Sequence, residues 1–252
     1  MKKINVLFLL FFVLGQSFTS CTKDFEDGGD YNGINNGIGG NDGIGGNDGG
    51  SGDGNIIENT SDYWPSAVGN QWILDENGSE VSMKMISKQG DYYKFNQFSG
   101  IGDGISGTGS VWLKKVKGDY FIKIDELTVD YGEGMSGKMS GYEFIFFKDY
   151  LEIDKTWTGN FIQTTSFNIA GLPSVTMNIS YTGTILEKGS SVTIGTSTYN
   201  DVIKFKFHQE AKILGQLATT TDAEYWIAKD VGVIKFTANG IVSSLKTYDV
   251  KK

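Results

Sequence analysis

Apolar and polar residues alternate with a period of two through most of the chain from about residue 57 onward. Such alternation is typical of half-buried antiparallel strands, because successive side chains of a strand point to opposite faces. We predict roughly ten to twelve strands on this basis. The only stretch that favours a helix is a short one over 212–219. The clearest sets of residues on one strand face are Val81, Met83 and Met85, then Tyr120, Ile122 and Ile124, and then Ile203, Phe205 and Phe207.

Turn signals separate these strands. Asn77-Gly78 predicts a tight hairpin turn, since both residues accept the positive φ angles that such a turn requires. A glycine-rich loop over 99–110 is expected between two strands. The stretch over 142–147 is apolar on both faces, which predicts a strand that is central in a sandwich or wraps round a filled barrel.

These patterns predict one all-β domain over 57–252, a single antiparallel domain with a strongly curved sheet. An open barrel and a sandwich both remain possible, because both contain strands with two apolar faces. Met83, Met85 and Met177 would suit an adaptable apolar pocket inside such a sheet.

The first residues do not follow this pattern. Lys2 and Lys3 precede an apolar run from Val6 to Leu14, and polar residues follow. This three-part order is typical of a secretory signal peptide, here over 1–20. The apolar run is about half the ~20 residues that a membrane-spanning helix needs.

Phe18-Thr19-Ser20-Cys21 resembles the lipobox of bacterial lipoproteins. The resemblance implies cleavage before Cys21, acylation of that cysteine, and attachment to a membrane through its acyl chains. Two or three acyl chains give durable anchoring, because each buried methylene contributes about 0.8 kcal/mol. A plain secretory signal with an incidental cysteine is the alternative.

The residues after the cysteine resemble the acidic export signal of Bacteroidota lipoproteins. The matching positions are Lys23, Asp24, Glu26 and Asp27, with Phe25 interrupting them. The resemblance implies a place on the outer membrane, at the cell surface. The alternative is a solvated acidic start to a linker.

The segment over 21–56 is rich in Gly, Asn and Asp, and it repeats a hexamer at 37–42 and 43–48. Glycine has high backbone entropy and few of these residues can be buried, so we expect a disordered tether. Calcium binding by the repeats is the alternative interpretation.

Composition narrows the function. The net charge is −8 and all 22 basic residues are lysines. An acidic chain without arginine is not expected to bind nucleic acid. The single cysteine, once acylated, leaves no thiol for a disulfide, a metal site or a nucleophile.

Two further stretches resemble uncharacterised Bacteroidota lipoproteins. One is the opening Tyr63-Trp64-Pro65 followed by Val68-Gly69-Asn70-Gln71-Trp72. The other is the pair of closing segments over 199–205 and 225–235. The resemblance implies an all-β fold without an assigned activity. We interpret these residues as determinants of the fold, and a binding site is the alternative.

Candidates for chemistry are few. His208 is the only histidine and is predicted to lie on the polar face of its strand. Two acidic pairs, Asp125/Glu126 and Glu152/Asp154, could in principle act in glycoside hydrolysis. The aromatic residues that could stack on sugars are Tyr93, Trp112, Trp157 and Trp226.

No constellation of catalytic groups emerges, so we expect a protein that is not an enzyme and has no cofactor or metal. The leading hypothesis is a non-catalytic, lipid-anchored lipoprotein of the cell envelope. The first alternative is a carrier of a lipid or other apolar ligand in a β-barrel cavity. The second is a surface glycan-binding protein.

Overall fold

The computed structural model describes residues 62–97 and 110–251, and every regular element within these ranges is a β-strand. The leader, Cys21, the export signal, the tether and most of the glycine-rich loop lie outside the described residues. Within them, no helix long and apolar enough to cross a membrane occurs. The strands are β1 Gln71–Glu76, β2 Ser79–Gln89, β3 Tyr92–Phe95, β4 Val111–Val116, β5 Asp119–Ile124, β6 Leu127–Gly132, β7 Met135–Met139, β8 Tyr142–Lys148, β9 Thr156–Phe167, β10 Val175–Ile194, β11 Ser197–Ile213, β12 Thr219–Ala228, β13 Gly232–Ala238 and β14 Ile241–Asp249.

All fourteen strands belong to one antiparallel sheet in the order β6-β7-β9-β10-β11-β12-β13-β14-β1-β2-β3-β4-β5-β8. The sheet is not closed, and β6 and β8 are its edges. The predicted all-β class with a curved sheet is therefore confirmed, with a few more strands than predicted. Most neighbours in the sheet are also neighbours in sequence, because short turns connect them.

The hairpin turns form where the sequence places their signals. Asn77 and Gly78 have φ angles of 49° and 91°, and Glu76 pairs directly with Ser79. Both central residues thus adopt positive φ, as a two-residue turn between twisted strands requires. The stretch over 212–219, in contrast, is not helical. It completes β11, turns at Leu214-Gly215 and begins β12.

The sheet curls so that its edge strand β8 packs over the other half. Phe144 contacts Phe161 of β9 and Phe207 of β11 with ring centroids 5.7 Å apart in each case. Phe146 lies edge-on to Phe205 at 5.4 Å. The prediction of a central place for this strand is wrong. The pairing with β5 passes from Phe121↔Ile145 to Tyr120↔Phe147, and this bulge brings Phe147 onto Phe205 as well, with ring centroids 5.1 Å apart.

Two aromatic side chains bridge the open seam between β8 and β9. Trp157 donates its indole N–H to the carbonyl of Ile145 at 3.0 Å, and the N–H of Ile145 donates to the Tyr181 hydroxyl at 3.1 Å. These bonds satisfy both backbone groups of Ile145, which point to the open side of β8.

Two glycines make these bridges possible. Gly159 is the cross-strand partner of Tyr181, and Gly183 is the partner of Trp157. A Cβ at either glycine would overlap the aromatic ring opposite. Each ring therefore lies flat across a bare backbone and extends to the edge strand, a pairing that also protects the glycine.

A short segment before β1 fills one end of the curled sheet. Trp64 is completely buried, and its ring is perpendicular to Trp72 with centroids 6.5 Å apart. The Trp72 indole donates to the carbonyl of Val231 at 2.6 Å. Gly232, with φ of 111°, lies against both indoles, where a side chain would collide with them. We call Trp64 and Trp72 the aromatic plug. Their contacts join the beginning of the domain to the β12–β13 turn.

Candidate functional site

The concave face of the sheet carries a continuous row of cross-strand pairs. In order across six strands, the row is Ile185, Phe205, Tyr225, Phe236, Ser243 and Glu76. Five of these side chains are buried, whereas Tyr225 keeps an accessible fraction. The row therefore changes from aromatic to polar along its length, and its polar end contains a carboxylate.

Several other inward-facing side chains are also only partly buried, although they pack against the core. We name seven of these half-buried residues, from β4, β8, β9, β12, β13 and β14, the aromatic recess: Val111, Tyr142, Phe144, Phe161, Tyr225, Ala238 and Ile241. Its walls are ordered by ring stacking. Tyr142 stacks on Phe161 with centroids 4.2 Å apart, and Tyr225 is stacked between Phe205 and Phe236 at 5.2 Å from each.

The hydroxyl groups of Tyr142 and Tyr225 are the polar atoms of this recess. Burial raises the pKa of Tyr142 to about 12, and it also raises the pKa of Tyr225. Both side chains nevertheless keep accessible surface. Within residues 62–97 and 110–251, neither hydroxyl has a hydrogen-bond partner, so each can donate to a bound molecule.

The methionines do not line this recess. Met83, Met85 and Met177 are 2%, 0% and 6% exposed, so they fill the interior by packing. The sequence-based prediction of a methionine pocket is wrong. The accessible lining is aromatic instead, and rings with few rotatable bonds form a stiffer wall than methionine would.

The outer face of β3, β4, β5 and β8 carries alternating lysines and aromatic rings. Lys114 donates to the hydroxyl of Tyr92 at 2.7 Å and to Glu143 at 2.9 Å, and it lies 4.5 Å from the Phe121 ring centroid. These partners raise the pKa of Lys114 against the opposing effect of its burial. This surface is a self-neutralised network, so its lysines do not form an open anion site.

None of the predicted sugar-stacking residues offers an open ring. Trp112 is buried and donates to Asp125 at 2.6 Å, and Trp157 is the seam residue. Tyr93 is half-buried and faces inward. Trp226 is on the outer face, where the ammonium groups of Lys204 and Lys235 each lie 4.4 Å from its ring centroid. Ammonium groups cover both sides of the indole, so a sugar could not stack there without displacing one.

His208 is half-buried on the outer face of β11, the polar face on which it is predicted to lie. Its Nδ1 lies 2.8 Å from a carboxylate oxygen of Asp222, and Lys206 lies 3.0 Å from the same oxygen. These two partners, His208 first, hold the pKa of Asp222 below its usual value. The arrangement is a hydrogen-bonded cluster on the surface of β11 and β12, with an ion pair between Lys206 and Asp222.

The two acidic pairs are engaged separately. Asp125 accepts from Trp112 and pairs with Lys123 at 2.9 Å, and these bonds lower its pKa despite the opposing effect of burial. Glu152 pairs with Lys188 at 2.9 Å. The stretch over 151–155 is a turn and not a strand, so Glu152 and Asp154 do not share a strand face.

One carboxylate was missed by the sequence analysis. Asp149 is 3% exposed and accepts a hydrogen bond from the Tyr120 hydroxyl at 3.1 Å. Its Oδ1 is sealed against Gly118, and that atom has no hydrogen-bond partner among the described residues. Burial raises the pKa of Asp149. This group faces protein atoms, so it does not form part of a ligand site.

The opening and closing stretches meet at one end of the sheet. Trp72 and Phe205 are completely buried, as expected for residues that determine a fold, whereas Trp226 is half-buried on the outer face. The N–H of Asp230 donates to the carbonyl of Asp62 at 2.6 Å. These contacts join the two stretches, so the fold requires both of them.

The chain matches no protein-family model, and it matches no curated protein. The chain is similar to one solved structure, that of a protein from Parabacteroides distasonis described as a "putative lipoprotein". The two sequences are 11% identical, and the alignment covers 75% of this chain and 99% of the other with a TM-score of 0.46. This similarity is too loose to transfer a function.

Proposed function

We propose that the protein is a non-catalytic, lipid-anchored lipoprotein of the outer membrane, exposed at the cell surface. The observation that carries the proposal is the order of Phe18-Thr19-Ser20-Cys21 after a signal-peptide pattern and before a glycine-rich tether. Acylation at Cys21 would leave the β domain joined to the membrane by a flexible chain.

The side chains in the described part of the domain support a non-catalytic role. Asp125 and Glu152, one from each acidic pair, are bound to lysines, and His208 is bound to Asp222. A general acid or base needs a position in a cleft and a suitably tuned pKa. These carboxylates are instead engaged in ion pairs with lysines, and the His208 ring contacts the Asp222 carboxylate.

Acylation of Cys21 is tested by growing cells with an alkyne analogue of palmitate and detecting the label on the purified protein. Wild type is expected to incorporate the label, and Cys21→Ala is expected to lose it almost completely, since no other thiol exists. Ser20→Ala keeps a small residue before the cysteine and is the matched control. Undiminished labelling of Cys21→Ala would contradict the proposal.

The same cells test surface exposure. Alanine replacement of Lys23, Asp24, Glu26 and Asp27 is expected to leave the label in place and to protect the protein from proteinase added to intact cells. Equal digestion of wild type and variant would show that this segment does not direct export.

The aromatic recess favours a second candidate function, a carrier of an apolar ligand. An apolar pocket with a few convergent polar groups is the usual form of a small-molecule site. Here the stacked rings of Tyr142 and Tyr225 would contact the apolar body. Their hydroxyls would donate to an acceptor on the ligand, such as a carbonyl or ester oxygen.

The carrier function is tested by native mass spectrometry of protein purified in mild detergent from its own envelope. We expect a reproducible non-covalent mass that extracts into organic solvent. Tyr142→Phe combined with Tyr225→Phe preserves ring volume but removes both donors, and it should weaken binding about thirtyfold, which corresponds to roughly 1 kcal/mol per donor. Tyr131→Phe, on a half-buried ring of β6, is the control. A clean mass of the unliganded wild-type protein would refute the carrier function.

A further inference from the structure

A polar pocket lies at the end of the sheet where β11 begins and β12 turns into β13. Its volume is about 310 Å³, near the lower limit of the usual range for small-molecule sites. We call it the strand-end pocket, and its lining residues are Thr198, Tyr199, Asn200, Asp201, Ala228, Lys229, Asp230, Val231 and Tyr248.

A β-bulge shapes one wall of the strand-end pocket. The pairing of β10 with β11 passes from Val192↔Tyr199 to Ser190↔Val202, so Asn200 and Asp201 together lie opposite a single residue. Asp201 has a φ of 51°, and Asn200 is held by a 2.7 Å hydrogen bond from the Ser191 hydroxyl. Bulges reorient side chains and are frequent beside functional sites. This one places the Asp201 carboxylate in the pocket wall.

Two charged groups of the pocket, Lys229 and Asp201, keep hydrogen-bonding capacity. Lys229 and Asp201 approach to 4.0 Å, which is close enough for attraction but too long for a hydrogen bond. The ammonium group can therefore donate and the carboxylate can accept on the pocket side. The wall thus offers both a donor and an acceptor. This combination complements a hydroxyl group, which can accept a hydrogen bond and donate one.

An accessible ring completes the pocket. Tyr248 is 45% exposed, and its centroid lies 6.4 Å from that of Tyr199, which is buried beneath the pocket. Among the described residues, no ammonium group lies over the Tyr248 ring, whereas two lie over the ring of Trp226. The C–H face of a sugar can stack on such a ring, because apolar C–H groups pack well against aromatic faces.

The chemistry of the lining selects a ligand class. An anion would be repelled by the Asp201 carboxylate and by the net charge of −8. A purely apolar ligand would desolvate the polar wall without replacing its hydrogen bonds. We propose that the strand-end pocket binds a neutral sugar unit, with stacking on Tyr248 and hydrogen bonds to Asp201 and Lys229. This site is independent of the aromatic recess.

Saturation-transfer NMR on the mature protein tests the proposal with four probes: cellobiose, lactose, mannobiose and diacetylchitobiose. We expect transfer to the ring C–H protons of at least one probe. Tyr248→Ala and Asp201→Asn should each weaken its binding at least tenfold. Asparagine tolerates positive φ, so Asp201→Asn preserves the bulge while removing the charge.

Tyr150→Ala and Asp91→Asn remove an exposed ring and an exposed carboxylate outside the pocket, and both should bind as wild type does. Absence of transfer to all four probes would overturn the proposal. Binding that is equally strong in Tyr248→Ala, Asp201→Asn and wild type would overturn it as well.

Discussion

Gly183→Ala is expected to lower the free energy of unfolding by about 3 kcal/mol, at the upper end of the cost of overpacking. The new methyl group would occupy the space of the Trp157 ring, which lies flat across Gly183. Trp157 would have to move, and its hydrogen bond to Ile145 would be lost with it. Equilibrium unfolding in urea, followed by tryptophan fluorescence, measures the change.

The matched control is Ser180→Ala, an exposed position three residues earlier on the same strand, where we expect almost no effect. A double-mutant cycle makes the cause explicit. In a Trp157→Ala background the ring is gone, so Gly183→Ala should cost much less than in wild type. Additive costs in the cycle would show that the glycine matters for a reason other than this contact.

Trp64→Ala is expected to have a still larger effect, about 4 kcal/mol, because a buried indole would leave a large cavity. Trp64 is fully buried and contacts Trp72, Phe95 and Phe146. The loss would be a large share of the 5–15 kcal/mol by which domains are typically stable. Calorimetry should show a fall in Tm of roughly 10 °C.

Tyr150→Ala serves as the control for Trp64→Ala, since it removes an exposed ring and should leave Tm nearly unchanged. A Trp64→Ala protein with the Tm of wild type would mean that the aromatic plug does not stabilise the sheet. Trp64→Phe should fall between wild type and alanine, because it refills part of the cavity with an apolar ring.

Local features of the fold could be predicted from the sequence. The Asn77-Gly78 turn and the buried set Tyr120, Ile122 and Ile124 follow from conformational preference and from alternation, which act over a few residues. The stretch over 212–219 favours a helix in the sequence but forms none. Its apolar residues lie at a hairpin tip, where Leu214 is 99% exposed.

The place of β8 could not be predicted, because it depends on contacts distant in sequence. Apolar residues on both faces indicate that both faces are covered, but they do not indicate what covers them. Here a bulge brings Phe147 onto Phe205, and the Ile145 backbone is bonded by Trp157 and Tyr181, whose rings are accommodated only because glycines lie opposite them. A glycine opposite an aromatic residue on a neighbouring strand, together with alternation, would have indicated where such rings lie.

The candidate sites also depend on contacts between residues that are distant in sequence. Tyr142 could be placed on an inner face by alternation, yet its half-burial depends on how strongly the sheet curls. The strand-end pocket requires the bulge at Asn200 and Asp201 and the proximity of Tyr248, which is 47 residues further along. No local pattern reports that proximity.

The seam has a consequence for a protein that would stand at high local density on a membrane. An open sheet edge offers N–H and C=O groups to the edge of another molecule, and edge-to-edge pairing is a common start of aggregation. In β8 both groups of Ile145 are already bonded to side chains of the same molecule. The same two bonds that complete the fold thereby keep neighbouring copies apart.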